Sequence, residues 1–508
     1  MDRRVGMGLG MAGALAGLAL VLFGLQGRDT SLERGPTQAV SDDPQLAINV
    51  NTSPVVATDP RRPDVLVAAG RVDAPRLDCK VLLSTTGGLA WRRLDLPPPP
   101  GETNCFWPAV AFDGDGNLLV LYTPTGGPFN LPTGLWLQRF TPEFTPDGAP
   151  LQVSGPLTFQ PRLAVEGRRV LVMWIRASDV RATKFLGFGP PPNPIVLARS
   201  EDGGRTFAPP VTVSEPSRLA VQPTLLIGPG GQVVVGALDL ADDRATYESA
   251  HGGQPGPPPS ERWRVVAWTS SNGGASFGPA TTVGTDVVPV QRVLIDLAPA
   301  PAFALDPARR RIHAAWESGH DVFVSRSEDG GATWSPPLRI GPETGGQFLP
   351  GIGIAPGGRV DVGFYDRSGD PEDVLAEVVL ASSSDGGRSF PTTGVVSDRP
   401  FDSIVGSFNG DNVMLGSHLA VVSRPGRATL VWADTTRGNR VNNIVDLVSA
   451  TVEIRPGRGA RVPMVLGGLV LAAFGLGLTA RSWPGRGPGR GRWPARRPTA
   501  SPPPPLRG

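Results

Sequence analysis

Carboxylates and guanidiniums gather in five stretches of this chain: 176–194, 239–262, 317–321, 366–374 and 433–443. They hold Arg176, Asp179, Arg181, Asp239, Asp242, Asp243, Arg244, Glu317, Asp366, Arg367, Asp370, Asp434, Arg437 and Arg440. Mixed acids and bases around one depression suit a carbohydrate or peptide ligand. On that ground Arg176, Asp242, Asp243, Arg244, Glu317, Arg367, Asp434 and Arg437 are ligand-binding candidates; the plainer alternative is a solvated rim of local salt bridges. Asp366-Arg-Ser-Gly-Asp-Pro-Glu-Asp373 sets four carboxylates within eight residues. No cofactor is required, but calcium on Asp366, Asp370 and Asp373 is admitted. Asp113-Gly-Asp-Gly-Asn117 also opens like a calcium loop, yet it lacks the downstream Glu and falls where a hairpin turn is needed. The four His (251, 313, 320, 418) and two Cys show no zinc spacing. Neither a phosphate-cradling Gly loop nor a Ser-His-Asp order is present.

The elements that would position these residues follow from a repeat. Ser200-Glu-Asp-Gly-Gly-Arg-Thr-Phe207 returns as Ser327-Glu-Asp-Gly-Gly-Ala-Thr-Trp334, Ser383-Ser-Asp-Gly-Gly-Arg-Ser-Phe390 and Ser270-Ser-Asn-Gly-Gly-Ala-Ser-Phe277. A worn copy is Ser84-Thr-Thr-Gly-Gly-Leu-Ala-Trp91, and Thr145-Pro-Asp-Gly148 fills the one large gap, which gives a period near 60 residues. The side chains are those of a tight turn: the acid or amide accepts backbone N–H groups, Gly takes a positive φ, and the hydroxyls add local bonds. Short apolar runs flank each turn, and two more lie upstream. The first of these follows a Pro (54, 108, 161, 223); the second ends in an aromatic (Tyr122, Trp174, Trp316, Tyr365, Trp432). Four strands per repeat is the pattern of a propeller blade. First strands start near 54, 108, 161, 222, 301, 349 and 412, so seven blades are expected, with six as the alternative. The last blade has three strands of its own, and Gln45–Val50 is expected to close the ring.

Composition agrees with a folded, turn-dense chain: 66 Gly and 56 Pro fall between runs of Val, Ile, Leu and Trp. Residues 29–454 carry a net charge of −10, which argues against nucleic acid as a partner. Val5–Gly27 and Val462–Ala480 are uncharged and flanked by Arg. Each is long enough to cross a bilayer, which takes about 20 residues. The first reads as either a cleaved signal peptide or an uncleaved anchor. The Arg-rich tail belongs in the cytoplasm, so the expected location is the cell membrane with residues 29–454 outside. The organisation expected is 1–28 signal or anchor, 29–44 linker, 45–454 propeller, 455–461 juxtamembrane linker, 462–480 transmembrane helix and 481–508 disordered tail. An even number of cysteines in that compartment favours a Cys79–Cys105 disulfide over two isolated thiols.

The Ser-x-Asp-Gly-Gly-x-Thr-Trp turn resembles the Asp-box, or bacterial neuraminidase repeat, of the sialidase superfamily. The resemblance implies an all-β, sialidase-like β-propeller, flanked here by the two hydrophobic segments. It also implies that Ser200, Asp202, Gly203, Thr206, Phe207, Asn272, Gly273, Phe277, Ser327, Asp329, Gly330, Thr333, Trp334, Asp385, Gly386 and Phe390 are structural and face away from the active site. The charged stretches listed first would then share the other face with 123–135. An exo-sialidase uses an Arg triad, a Tyr nucleophile helped by a Glu, and an Asp acid. Here the family's Arg-Ile-Pro is replaced by Asn51-Thr-Ser-Pro54 and Phe106-Trp-Pro108. Tyr247 beside Glu248 is the attractive nucleophile, with Asp239 and Asp366 as further catalytic candidates. The departures favour a binding module for a surface glycan or an envelope protein. The rivals are an exo-acting glycoside hydrolase of sialidase type and a scaffold for an envelope complex.

Overall fold

In a computed structural model of the chain, the described residues are 30–41, 49–127, 130–177, 193–215, 219–240, 262–288, 299–405 and 415–456. The pairings that follow concern the compact unit Thr30–Arg455. Second strands such as Arg169–Arg176 are apolar and buried without a break from Val170 to Ile175. Continuous rather than alternating apolarity is what a strand covered on both faces requires. Among the described residues all regular structure is strand except one turn of 3-10 helix at Pro229–Gly231.

The strands pair antiparallel with their sequence neighbours in successive units. Unit 1 is Asn49–Thr58, Leu66–Ala74, Asp78–Ser84 and Arg92–Leu94. Unit 2 is Phe106–Phe112, Leu118–Thr123, Leu135–Phe140 and Leu151–Ser154, and unit 3 is Thr158–Glu166, Arg169–Arg176, Ile195–Ser200 and Val211–Thr212. Unit 4 is Ala220–Gly228, Gln232–Asp239, Trp263–Ser270 and Thr281–Val287, and unit 5 is Ala302–Asp306, Arg311–Ser318, Asp321–Ser327 and Leu338–Ile340. Unit 6 is Gln347–Ile354, Val360–Asp366, Leu375–Ser383 and Thr392–Val395. Unit 7 is Ala420–Arg424, Arg427–Asp434 and Ile444–Pro456. First strands touch one another in chain order, and that of unit 7 touches that of unit 1. The arrangement is all-β and propeller-like, with the first strands innermost.

Closure differs from the sequence expectation. The outer edge of Ile444–Pro456 is covered by Thr30–Arg34 and Gln38–Ala39, with Gln38 opposite Ser449 and Ala39 opposite Val448. Residues read as linker are therefore the closing strand. Of Gln45–Val50, residues 45–48 lie outside the described residues, while Asn49 and Val50 make a short parallel pairing with Ile444 and Val445. The reason is geometric. Strand Asn49–Thr58 is the inner strand of unit 1, so only its first two residues reach the strand next door. The closing segment is fastened further by Arg34 to Asp398 (2.7 Å) and by the Leu447 N–H donating to Ser41 Oγ (2.7 Å). Cys79 and Cys105 form the expected disulfide, with Cα atoms 5.3 Å apart, tying unit 1 to the start of unit 2.

The expected cell-membrane location, with a cytoplasmic tail, is corrected. Among the described residues no helix is long and apolar enough to cross a membrane. Both apolar segments, 5–27 and 462–480, lie outside the described residues.

Candidate functional site

The repeated turns join third to fourth strands; all five box copies share one hydrogen bond, and four share the full scheme. The Ser hydroxyl accepts from the second Gly N–H: Gly204 to Ser200 at 2.9 Å, Gly274 to Ser270 at 3.0 Å, Gly331 to Ser327 at 2.8 Å, Gly387 to Ser383 at 2.9 Å and Gly88 to Ser84 at 2.9 Å. That hydroxyl donates in turn to Asp202, Asn272, Asp329 or Asp385. The same acid or amide takes the N–H of Thr206, Ser276, Thr333 or Ser389. Hydrogen bonds from Thr333 hold the Asp329 carboxyl down at about 2, and Thr206 and Ser200 hold Asp202 well below the usual range. Burial alone would raise Asp385, but the hydroxyls and N–H groups of Ser383 and Ser389 outweigh it and the net shift is downward.

Each box also leans on the preceding unit. Trp91 Nε1 donates to Ser449 Oγ at 2.9 Å, Thr281 Oγ1 to the Gly331 carbonyl at 2.9 Å, and Arg424 to the Gly87 carbonyl at 3.1 Å. Arg139 donates to the Gly203 carbonyl. A Cβ at Gly204 would sit 2.8 Å from Leu137, so the second Gly is required for contact as well as for its φ of +80°. Phe207, Phe277, Phe390 and Trp334 pack between units. The 145–148 turn lacks this scheme; its Asp147 instead receives Arg139 and Arg205, both at 3.1 Å.

Antiparallel connectivity puts the second-to-third-strand connections on the opposite face. There the described candidates are held by local partners. Asp239 is buried and accepts from Arg264 at 2.8 Å, and Glu317 is buried and accepts the Leu349 N–H at 3.0 Å. Asp366 receives Gln347, Ser368 N–H and the Ser368 hydroxyl, and Asp434 receives Trp432 Nε1 and the Thr436 N–H. Arg437 donates to Asp446 at 2.8 Å, and Arg176 is exposed at its strand end. Arg367 bonds Ser403, stacks on Phe348, and is brought to Asp373 at 3.6 Å. Asp370 is held below its usual range by the N–H groups of Leu375, Val374 and Glu372. Among the described residues no group of three acids, His or Cys is placed to hold a metal, so calcium on Asp366, Asp370 and Asp373 has no prepared cage. Asp113 accepts Asp115 and Asn117 N–H groups in a hairpin turn. Tyr247, Glu248, Asp242, Asp243 and Arg244 lie outside the described residues. Tyr122 and Tyr365 spend their hydroxyls on the Pro97 and Ala433 carbonyls, and burial pushes both phenols up.

What converges lies on the axis. Five inner strands carry the same bulge, with register skipping between Thr52/Val55, Phe106/Ala109, Phe159/Arg162, Val221/Thr224 and Phe348/Gly351. In each the residue before a Pro is left-handed: Ser53 (φ 49°), Trp107 (47°), Gln160 (49°), Gln222 (51°) and Leu349 (50°). Non-Gly residues rarely take this conformation, and five equivalent cases mark a built feature. Pro supplies no ladder donor, so a bulge is where a strand tolerates it. Two of the freed N–H groups are met sideways, Gln222 by Gln160 Oε1 (2.7 Å) and Leu349 by Glu317, and the bulge hydroxyl Ser53 Oγ accepts the Ser417 N–H (3.1 Å).

Ser53, Trp107, Gln160, Gln222, Ser417 and His418 line a small axial cavity together with Arg71 and Arg162. Arg71 is 2% exposed, pairs with Asp73 at 2.7 Å and lies over the Phe106 ring. Arg162 is half-buried, and its described hydrogen bond goes to the Pro161 carbonyl at 2.9 Å. Burial, and then the Arg71 charge, bring Arg162 down to about 10. Burial, then Arg162 and Arg71, bring His418 down to about 3 against a hydrogen bond to the Pro54 carbonyl. At neutral pH the Arg162 guanidinium is therefore charged and the His418 imidazole is not. On the far side of Arg162 and His418 an apolar space of about 280 Å³ takes residues from every inner strand, among them Val55, Val110, Leu163, Leu226, Ala302, Ile352 and Val421. A larger groove of about 590 Å³ lies between units 5 and 6, walled by Leu338–Pro342 and the Phe390 turn, away from the axial charges. The signal missed in the sequence was the residue before each first-strand Pro, together with Arg71 and Arg162 inside apolar runs.

No protein-family model matches the chain, and no curated protein matches it either. Solved structures that resemble it are propellers and related proteins of low identity. A protein of unknown function from Dyadobacter fermentans is 13% identical, covers 84% of this chain and 100% of its own, and gives a TM-score of 0.48. The alpha-L-arabinofuranosidase of Fusarium graminearum, bound to arabinobiose, is 10% identical over 83% and 98% (TM-score 0.45). The intramolecular trans-sialidase of Ruminococcus gnavus is 12% identical over 84% and 98% (TM-score 0.38). The fold assignment rests on the strand pairings above rather than on these likenesses.

Proposed function

We propose that residues 30–456 form a seven-bladed, sialidase-like propeller that binds a carbohydrate on its axis, at the face opposite the box turns. The observation that supports this reading is the repeated bulge. It sets an indole, two carboxamides, hydroxyls and guanidiniums around one axial cavity of about 20 Å³, too small to admit a sugar ring, so the sugar would rest over its mouth and use this mix of donors, acceptors and apolar surface from outside. Glycoside hydrolysis needs two carboxyls flanking the bond or a poised nucleophile. Asp239, Glu317, Asp366 and Asp434 are instead tied to local donors, which weighs for binding over turnover. The axial carboxylate Asp73 serves Arg71 and Thr52.

The full chain should therefore bind on a glycan array without turning over fluorogenic glycosides, the sialoside included. Gln222→Ala should weaken binding about fivefold to tenfold, the loss of one or two hydrogen bonds. Turnover that falls with Asp73→Asn would favour the hydrolase. A folded sample that ignores every glycan would favour a protein ligand.

A further inference from the structure

The axial cavity has a charge account that does not close. Asp73 offsets Arg71, and Arg162 has no carboxylate within ion-pair distance among the described residues. His418 adds no compensation: its ring bonds Ser417 Oγ at 2.9 Å and stays neutral. Arg71 is buried and Arg162 half-buried, and positive charge drawn partly out of water is stabilised by a matching negative one. A guanidinium also brings five N–H donors, and one described bond leaves capacity for an acceptor. The space between these groups is about 20 Å³. A single water-sized body needs roughly 10–15 Å³, so one fits and a sugar ring does not.

We propose that this cavity binds one monatomic anion, a halide, held by Arg162 and Arg71 with the Ser53 and Ser417 hydroxyls beside it. A cation is repelled there, and a water carries no charge to offset Arg162. Tetrahedral oxyanions are too large for the volume. The anion would fix Arg162 between the bulges of units 1 and 3 and the Ser417–His418 segment, so its binding should read out as stability. The proposal does not rest on the carbohydrate reading.

The test is thermal unfolding of the full chain at constant ionic strength, replacing gluconate stepwise by chloride or bromide. A saturable rise in Tm of about 1 °C is expected, because a ligand contributing on the order of a kilocalorie is set against an unfolding entropy of about 2.1 cal/mol/K per residue across the Thr30–Arg455 unit. Arg162→Met should abolish the rise. Crystals grown in bromide should show one anomalous peak between Arg71 and Arg162, a readout that stands even where the variant does not fold. A Tm that ignores halide, together with no such peak, overturns the proposal. An equal rise with acetate also overturns it, because the site would then take the carboxylate arm of a larger ligand.

Discussion

The box turns and the axial cluster are both polar, and both are built by repetition around one ring, yet they handle charge in opposite ways. In a box turn each carboxylate receives several donors from its own eight residues, and its acidity is strengthened accordingly. On the axis, two guanidiniums and an imidazole from units 1, 3 and 7 are pressed together, and the protons of Arg162 and His418 are loosened. The bonds of one region's carboxylates lie within single repeats. The other appears only when distant strands meet, and it is left with positive charge. Satisfied polar groups hold a fold, and unsatisfied ones recruit something.

The largest way to sharpen that contrast is the disulfide, which enters unit 2 one residue before the Phe106–Trp107 bulge. Replacing Cys79 and Cys105 by Ser should cost about 3.5 kcal/mol in the chain-entropy account of its 26-residue separation. Hydrogen exchange should rise first around 104–110, whereas equal loosening of the 327–334 turn would break the distinction drawn here. A smaller loss is expected inside a box. Ser327→Ala leaves the Gly331 N–H without its acceptor, for about 1–2 kcal/mol in a denaturant melt. The same substitution should leave ligand binding unchanged.

The smallest effect separates the regions by pH. His418 at about 3 and His313 at about 4 are both depressed from 6.5, chiefly by burial. Their contribution to stability is present above pH 6.5 and is lost as pH falls toward those values, because the unfolded imidazoles protonate first. The Asp329 contribution is lost only below 3.8, toward about 2. His418→Gln should flatten the decline between pH 6 and 4 and leave the steeper fall below it, as followed by Tm.

Much of the fold was legible because its signals are local. Ser-x-Asp-Gly-Gly-x-Thr-Phe specifies a turn within eight residues, and the aromatic second-strand ends Tyr122, Trp174, Trp316, Tyr365 and Trp432 are all buried. The closing strand was misplaced because Thr30–Arg34 is short and half-exposed, with no apolar run to announce it. The charged stretches were visible, but Glu317 and Asp366 turned out to be bound to backbone N–H groups that no residue count reveals. The axial site was hidden for a further reason. Arg71, Arg162 and His418 are far apart in sequence, and each looks unremarkable among its own neighbours.

The seam has a consequence for biosynthesis. Its outer strand, 30–39, leaves the ribosome among the earliest segments described here, and its partner, Ile444–Pro456, is the latest. Six hairpin-connected units can pair as they emerge, because their contacts lie within one repeat. The first-made strand has no partner through all of that time, and its edge stays available to any other chain. Completion of the ring thus waits for the emergence of the final strand rather than for the folding of any one unit.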